Sequence, residues 1–254
     1  MLAVAAALFC ASPGIVAAQA VPHCSAPADM TRLANPLSHI ANKLAAGQPI
    51  KIVAIGSSST AGAGASAPGK AYPARLEVEL SKRFARTKFI VLNRGVNGEE
   101  AKDMIRRFGA AVIAEHPDLV IWQLGTNSVL RDHPMSDNGA LIRQGLTMIK
   151  STGADIVLID PQFAPKVIAK PDAERMVELI GATAKRENVD LFRRFALMRR
   201  WRDVDHIGFE SFVSPDGVHM NDWSYGCLAR SLADAIAEAA TRPVSSASAA
   251  VMMP

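Results

Sequence analysis

Short apolar runs alternate with longer amphipathic segments along most of the chain. The apolar runs are rich in β-branched residues, which predicts buried strands; they cover Lys51–Ile55, Lys88–Leu92, Asp118–Leu124, Ala154–Ile159 and Val189–Phe192. Apolar residues at helical spacing between and after these runs predict helices over Tyr72–Phe84, Glu99–Ala114, Asn138–Ser151, Asp172–Arg186 and Asn221–Thr241. Such alternation predicts an α/β fold, a three-layer α/β/α sandwich around a five-stranded parallel sheet with right-handed crossovers.

The length and composition suit one domain. The chain has 254 residues, of which 49% are hydrophobic and 20% charged, enough to build a sizeable core. We predict a domain over residues 50–242, preceded by an N-terminal extension (21–49) with a helical pattern at Leu37–Ala46. A Ser- and Ala-rich segment, 243–254, has the composition of a disordered tail.

Residues 1–20 have the pattern of an export signal. An apolar core, Leu2–Phe9, precedes a small-x-small cleavage site at Ala18-Gln19-Ala20, and a Ser-Pro-Gly interruption makes the run too short for a membrane anchor. No other segment has membrane length, so we expect a periplasmic or secreted protein without stable membrane insertion. Cleavage after Ala20 would leave Cys24 and Cys227, and an even count in an exported chain favours a disulfide over two buried thiols.

Charge and metal-ligand spacing exclude several classes of function. The net charge of +4 is mildly basic and lacks the dense patch of a nucleic-acid binder. Arg106-Arg107 is expected to be a solvated pair on a helix face. No His or Cys set has ligand spacing and the Gly-rich turn after the first strand lacks Gly-Lys-Ser/Thr, so neither a metal nor a cofactor is expected. The sequence leaves the oligomeric state open.

Three serines follow the first predicted strand. The strand ends at Gly56, and Ser57, Ser58 and Ser59 come directly after it. Open α/β sheets place their ligands at the carboxyl ends of strands, which makes these serines candidates for chemistry. Serines also favour helix N-caps, so a purely structural role is open on this evidence alone.

Three further stretches change that balance. They are Asn93-Arg94-Gly95-Val96-Asn97-Gly98, Gly125-Thr126-Asn127 and Asp216-Gly217-Val218-His219, and they follow the serine turn, Gly56-Ser57-Ser58, along the chain. In order and spacing, over roughly residues 50–240, this set resembles the SGNH (GDSL-type) hydrolases, whose fold is flavodoxin-like. The family usually has Asp immediately before the nucleophile and a Leu-like residue after it, whereas this chain has Ser57 and Ser59.

The resemblance implies a role for each matching residue. Ser58 would be the nucleophile, His219 its general base, and Asp216 the group that orients the imidazole. Ser58 and Gly98 would donate main-chain N–H groups, and Asn127 its side-chain amide, to an oxyanion. In isolation Gly98 could simply permit a left-handed turn, Asn127 and Asp216 could cap helices, and His219 could be a loop residue.

The resemblance therefore predicts an exported serine esterase that forms an acyl-enzyme. Export and the lack of a Leu/Phe-rich lid favour a carbohydrate O-acetyl ester in a cell-wall or exopolysaccharide sugar. A lipolytic esterase, thioesterase or lysophospholipase is the alternative among enzymes. A non-catalytic glycan-binding relative is the alternative outside them, because the Gly-Ser-Ser motif departs from the family pattern. The expected partner is a small-molecule or polysaccharide ester, not nucleic acid.

Overall fold

The computed structural model describes residues 22–243, in which five parallel strands form one sheet. The strands are β1 (Ile50–Gly56), β2 (Phe89–Gly95), β3 (Leu119–Gln123), β4 (Asp155–Ile159) and β5 (Asp190–Phe192). Their order across the sheet is β2-β1-β3-β4-β5. The predicted fold class is thus confirmed. The predicted signal peptide and all but the first residue of the predicted tail lie outside the described residues.

The helices flank this sheet. The α-helices are α1 (Ala28–Thr31), α2 (Ser38–Ala45), α3 (Ser58–Ala61), α4 (Tyr72–Arg83), α5 (Ala101–Arg106), α6 (Phe108–Ala111), α7 (Thr126–Leu130), α8 (Asn138–Lys150), α9 (Pro165–Ile168), α10 (Ala173–Arg186), α11 (Arg194–Asp203), α12 (Phe209–Phe212) and α13 (Asp222–Thr241). Single 3-10 turns cover Pro68–Lys70, Ile113–Glu115 and Met135–Asp137. Among the described residues, no helix is both long and apolar enough to cross a bilayer.

The core lies on both faces of the central strands. The side chains of Ile52, Val53 and Ile55 in β1 are fully buried, as are those of β3 from Leu119 to Gln123. Burial on both faces explains why these strands are almost continuously apolar instead of alternating. Each large apolar side chain removed from water in this way stabilises the fold by about 1.5–3 kcal/mol.

The segment before β1 packs on this same core. Leu33, Leu37 and Ile40 are each at most 1% exposed. Cys24 forms a disulfide with Cys227 of α13, with 5.5 Å between the Cα atoms, which confirms the predicted pairing. The α13 helix, 20 residues long, therefore holds the N-terminal segment against the domain.

The helices depart from the prediction in two places. The helix predicted over Glu99–Ala114 is two short helices, because Arg107 between α5 and α6 leaves helical geometry (φ −108°, ψ 5°). Its guanidinium turns back to bind groups at the strand ends, as described below. The α11 helix was not predicted, although Phe195, Met198 and Trp201 recur in it at helical spacing and are buried.

Candidate active site

The serine turn lies at the carboxyl edge of the sheet. Ser58 is the first residue of α3, and only Ser57 separates it from the end of β1 at Gly56. The sheet order places β1 between β2 and β3, so the loops after these three strands open onto the same edge. The three predicted positions Ser58, Gly98 and Asn127 all lie in this region.

A continuous hydrogen-bonded chain links Ser58 to His219 and Asp216. The Ser58 Oγ to His219 Nε2 distance is 2.7 Å, across 161 residues of sequence. The other ring nitrogen, Nδ1, lies 2.5 Å from Asp216 Oδ2. Such distances allow the serine proton to pass to the imidazole while the carboxylate holds the ring.

The Asp216 carboxylate is kept ionised by its surroundings. Partial burial would raise its pKa, but the His219 ring and the main-chain N–H groups of His219 and Val218 outweigh that effect, with a smaller contribution from the Ser214 hydroxyl. The pKa is thereby held well below its usual value. The two N–H groups donate to Oδ1 at 2.8–2.9 Å, which leaves Oδ2 for the imidazole.

The loop that carries Asp216 and His219 is fixed at its far end by the start of α13. Asn221 caps this helix, accepting hydrogen bonds from the N–H groups of Trp223 and Ser224. The Ser214 N–H donates to the His219 carbonyl oxygen at 2.7 Å, which closes the loop on itself. The sequence therefore places the two catalytic candidates in a tight turn directly before a strong helix N-cap.

Two of the candidate oxyanion donors come from the loop after β2 and from the first turn of α7. Gly98 has φ +78°, a left-handed conformation that glycine adopts without strain and that sets the direction of the loop after β2. Asn127 Nδ2 donates to the carbonyl oxygen of Glu99, the next residue, at 2.8 Å. This bond fixes the Asn127 amide to the loop that carries Gly98, at the peptide between Glu99 and Glu100.

Arg107 ties these loops to β1, a role that the sequence analysis missed. Its guanidinium binds the Glu99 carboxylate, with Nε to Oε1 at 2.8 Å, and donates to the carbonyl oxygens of Arg94 (2.8 Å) and Gly56 (3.4 Å). The expectation of a solvated pair holds for Arg106, whose side chain is 75% exposed, but was wrong for Arg107 at 23%. The eight-residue spacing of Glu99 and Arg107 is not a helical pair spacing, so the sequence carried no signal for this contact.

A second buried carboxylate supports the loop after β3. Glu100 is 7% exposed and binds Arg131 (2.6 Å), His133 (3.0 Å) and Ser128 (3.2 Å). Burial would raise its pKa, but these partners, His133 first, hold the pKa below its usual value. A methyl group built on Gly98 would lie 3.3 Å from Arg131 Nη2, so this cluster borders the candidate site.

A sizeable cavity lies away from these residues. A cavity of about 900 Å³ lies between the N-terminal segment, α10, β5 and α11. None of Ser58, Asp216 or His219 lines it. The side chains of His219 and Asp216 are 19% and 46% exposed, so the hydrogen-bonded chain is open to solvent.

The sequence matches the model of the Non-GDSL lipase-like family over residues 23–242. The chain belongs to the Non-GDSL lipase-like family. Together with the fold, this membership confirms the resemblance to SGNH/GDSL-type hydrolases and the enzyme class, a hydrolase of ester bonds. Among curated proteins, none matches the sequence.

Solved structures with the same fold include several esterases. A two-domain esterase (CEX) active on acetylated mannans is 21% identical, with a TM-score of 0.68; the match covers 84% of this chain and 56% of that one. The chain thus spans little more than half the length of that protein. A variant of Axe2, an acetyl xylan esterase from Geobacillus stearothermophilus, is 20% identical (TM-score 0.64; 74% and 94% covered). A G-D-S-L family protein from Desulfitobacterium hafniense DCB-2 is 23% identical (TM-score 0.62; 73% and 98% covered). At these identities the structures establish a shared fold.

Proposed function

We propose that the protein is an exported serine esterase that hydrolyses carboxylic esters through an acyl-enzyme. The observation that carries this proposal is the unbroken hydrogen-bonded chain from Ser58 Oγ through His219 to Asp216, with distances of 2.7 and 2.5 Å. Its position at the carboxyl edge of β1, next to the loops of Gly98 and Asn127, gives the reacting ester a place to bind.

The first half of the reaction forms the acyl-enzyme. His219 Nε2 accepts the Ser58 Oγ proton while that oxygen attacks the carbonyl carbon of the ester, and the carbonyl oxygen takes up the electron pair. Asp216 accepts the Nδ1–H bond and stabilises the imidazolium. The imidazolium then gives its proton to the leaving alcohol oxygen as the C–O bond breaks. Water repeats these steps against the acyl-serine and releases the acid.

Preorganised donors stabilise the oxyanion of each tetrahedral intermediate. The candidates are the N–H groups of Ser58 and Gly98 and the Nδ2–H group of Asn127. The Asn127 amide is already oriented by its bond to the Glu99 carbonyl. Each such donor is worth about 10²–10³ in rate.

We further propose a carbohydrate O-acetyl ester as the substrate. The exposed Asp216 and the half-buried Ser58 leave the site accessible to a bulky acceptor such as a polysaccharide. Two of the structural relatives are esterases of acetylated mannans and xylan. A lipolytic or thioester substrate is the second candidate, and the lipase-like family description favours it.

A periplasmic or secreted location fits this substrate. The Cys24–Cys227 disulfide is typical of chains that fold in an oxidising compartment. Residues 1–20 carry the sequence pattern of an export signal. Cell fractionation of the native producer, with the disulfide state measured in each fraction, tests the location directly.

Hydrolysis of p-nitrophenyl esters of increasing chain length tests the activity. We expect the acetyl ester to be hydrolysed faster than the octanoyl ester. We also expect the protein to release acetate from acetylated xylan or mannan. Faster hydrolysis of octanoyl than of acetyl esters would favour the lipolytic candidate. Binding of glycans without turnover of any ester would show a non-catalytic relative and overturn the proposal.

A further inference from the structure

A buried amide lies directly beside the serine turn. Gln123 is the last residue of β3, and its side chain is fully buried. The parallel register pairs Ile55 with Trp122, which brings Gln123 next to Gly56. Gly56 and Gln123 are so close that a methyl group built on Gly56 would lie 2.8 Å from Gln123 Oε1.

One oxygen of this amide accepts hydrogen bonds from three donors of the turn, two on Ser57 before Ser58 and one on Thr60 after it. Gln123 Oε1 lies 3.0 Å from the Ser57 main-chain nitrogen and 3.1 Å from Ser57 Oγ. Thr60 Oγ1 donates to it from the other side of Ser58 at 3.3 Å. Because a main-chain N–H can only donate, the bond to Ser57 fixes which end of the amide faces the turn.

The turn needs an anchor of this kind. The α3 helix has only four residues, too few to hold its geometry by its own hydrogen bonds. Ser57 is its N-cap residue, yet the Ser57 hydroxyl does not cap the helix. It is directed to Gln123 instead, so the direction of Ser58 depends on the neighbouring strand.

The other end of the amide is left without a partner. Within residues 22–243, Gln123 Nε2 is buried and has no hydrogen-bond partner. An unsatisfied buried donor is unfavourable for folding, so its presence needs another explanation. A neutral acceptor holds the turn without placing a negative charge beside an oxyanion that develops next to Ser58.

We propose that Gln123 is a positioning residue for the nucleophile. Its carbonyl oxygen fixes Ser57 and Thr60, and through them it aims Ser58 Oγ at His219. The proposal rests on the esterase function proposed above, since it concerns the same serine. It assigns a functional part to Ser57, the residue that stands where the wider family usually has Asp.

Gln123→Met tests the proposal, since it keeps the side-chain length and removes the acceptor. We expect kcat for p-nitrophenyl acetate and the rate constant of fluorophosphonate labelling to fall together by about 10- to 100-fold, because both reactions are slowed when the nucleophile is displaced. KM should stay within about twofold, and the final extent of labelling should stay complete.

Two further variants and a control separate positioning from stability. Ser57→Ala and Thr60→Val each remove one donor, and should slow labelling about 3- to 10-fold even if Gln123→Met does not fold. Ile149→Val shortens a fully buried core side chain in α8 and should lower Tm without changing the labelling rate. Lower Tm with unchanged labelling in the Gln123, Ser57 and Thr60 variants would overturn the positioning role. A wild-type enzyme inert to both reagents would instead overturn the proposed function on which it rests.

Discussion

Asn127, the second residue of α7, and Glu99, on the loop after β2, are joined by a hydrogen bond of 2.8 Å from the Asn127 side-chain amide to the Glu99 carbonyl oxygen. The amide carries two hydrogens, so this bond uses one and leaves the second available to a further acceptor. The N–H of Gly98 belongs to the same loop, in the peptide between Asn97 and Gly98. The bond thus ties Asn127 to the loop that carries the other candidate donor.

Asn127→Ala should therefore lower kcat sharply. Loss of the donor is expected to cost about 10²–10³ in kcat with little change in KM, because the bond to the oxyanion strengthens only in the transition state. Steady-state kinetics with p-nitrophenyl acetate measures both constants.

Asn138→Ala is a matched control for that variant. Asn138 also donates its Nδ2 to a main-chain oxygen, that of Pro134, at 3.1 Å, but at the start of α8. Its kcat should stay within about threefold of the wild-type value. An equal loss in the two variants would mean that the Asn127 effect is one of folding and would count against an oxyanion role.

Ser58, and not a neighbouring serine, should carry the acyl group. Only Ser58 has its hydroxyl within hydrogen-bond distance of His219; Ser57 Oγ is directed to Gln123, and Ser59 Oγ lies 3.5 Å from Gln162 Oε1. Ser58→Ala should abolish acyl-enzyme formation and lower turnover by about 10⁶. Mass spectrometry after treatment with a fluorophosphonate locates the adduct.

The two flanking serines provide the controls. Ser57→Ala and Ser59→Ala should keep the adduct on Ser58 and lose about tenfold in turnover or less. An adduct on Ser57 or Ser59, or full activity in Ser58→Ala, would contradict the assignment.

Periodicity predicted the parts of the fold in which side chains pack regularly. The core strands and the long helices such as α13 follow apolar spacing, and their predicted bounds differ from the observed ones by a few residues at most. The break at Arg107 could not be predicted in this way, because it follows from long-range bonds to the Gly56 and Arg94 carbonyl oxygens. Local pattern holds no information about such contacts.

The same distinction applies to the candidate site. Ser58 and His219 could be named from sequence because their motifs are local, and their separation follows from the parallel sheet. The supporting contacts of Gln123 and Arg107 could not be named, since each depends on the register of β3 with β1 or on the path of a loop. For Gln123 the sequence held one signal, which is that the apolar strand β3 ends in this polar residue.

Removal of the disulfide should destabilise the domain without disabling the site. Cys24 and Cys227 are separated by 203 residues, and the indole N–H groups of Trp223 and Trp201 bind the Pro22 and Ser25 carbonyl oxygens on either side of Cys24. Loss of a crosslink that closes so long a loop costs between about 2 and 5 kcal/mol. Thermal unfolding of Cys24→Ser/Cys227→Ser should show a lower Tm, with kcat at 25 °C close to that of the wild type.

Reductant supplies the internal check on this prediction. Dithiothreitol should lower the Tm of the wild type towards that of the double variant and leave the variant unchanged. A wild-type Tm that does not respond to dithiothreitol under unfolding conditions would show that the bond is absent in solution.

Asp160 should make the stability of the domain fall as pH rises. The residue follows β4 and is 1% exposed; its Oδ1 accepts the Phe195 N–H at 2.8 Å, while Oδ2 has no partner among the described residues. Burial raises the pKa of this carboxyl from 3.8 to about 7, against the opposing effects of the Phe195 N–H and the buried Arg194. The folded state thus holds the proton more tightly than the unfolded state does. The resulting stabilisation is full below about pH 4 and is lost as pH rises through about 7.

Asp160→Asn isolates this contribution, because the amide keeps an acceptor for Phe195 and cannot ionise. Between pH 5 and pH 8 the free energy of unfolding of the wild type should fall relative to the variant by roughly 2 to 3 kcal/mol. Urea unfolding of both proteins at the two pH values measures the difference. In Asp222→Asn the difference from wild type should be the same at both values, because the hydroxyl and N–H of Ser66 hold the Asp222 pKa below 3.8 against the opposing effect of burial. A pH-independent difference for Asp160→Asn as well would show that the Asp160 carboxyl is ionised in the folded protein throughout this range.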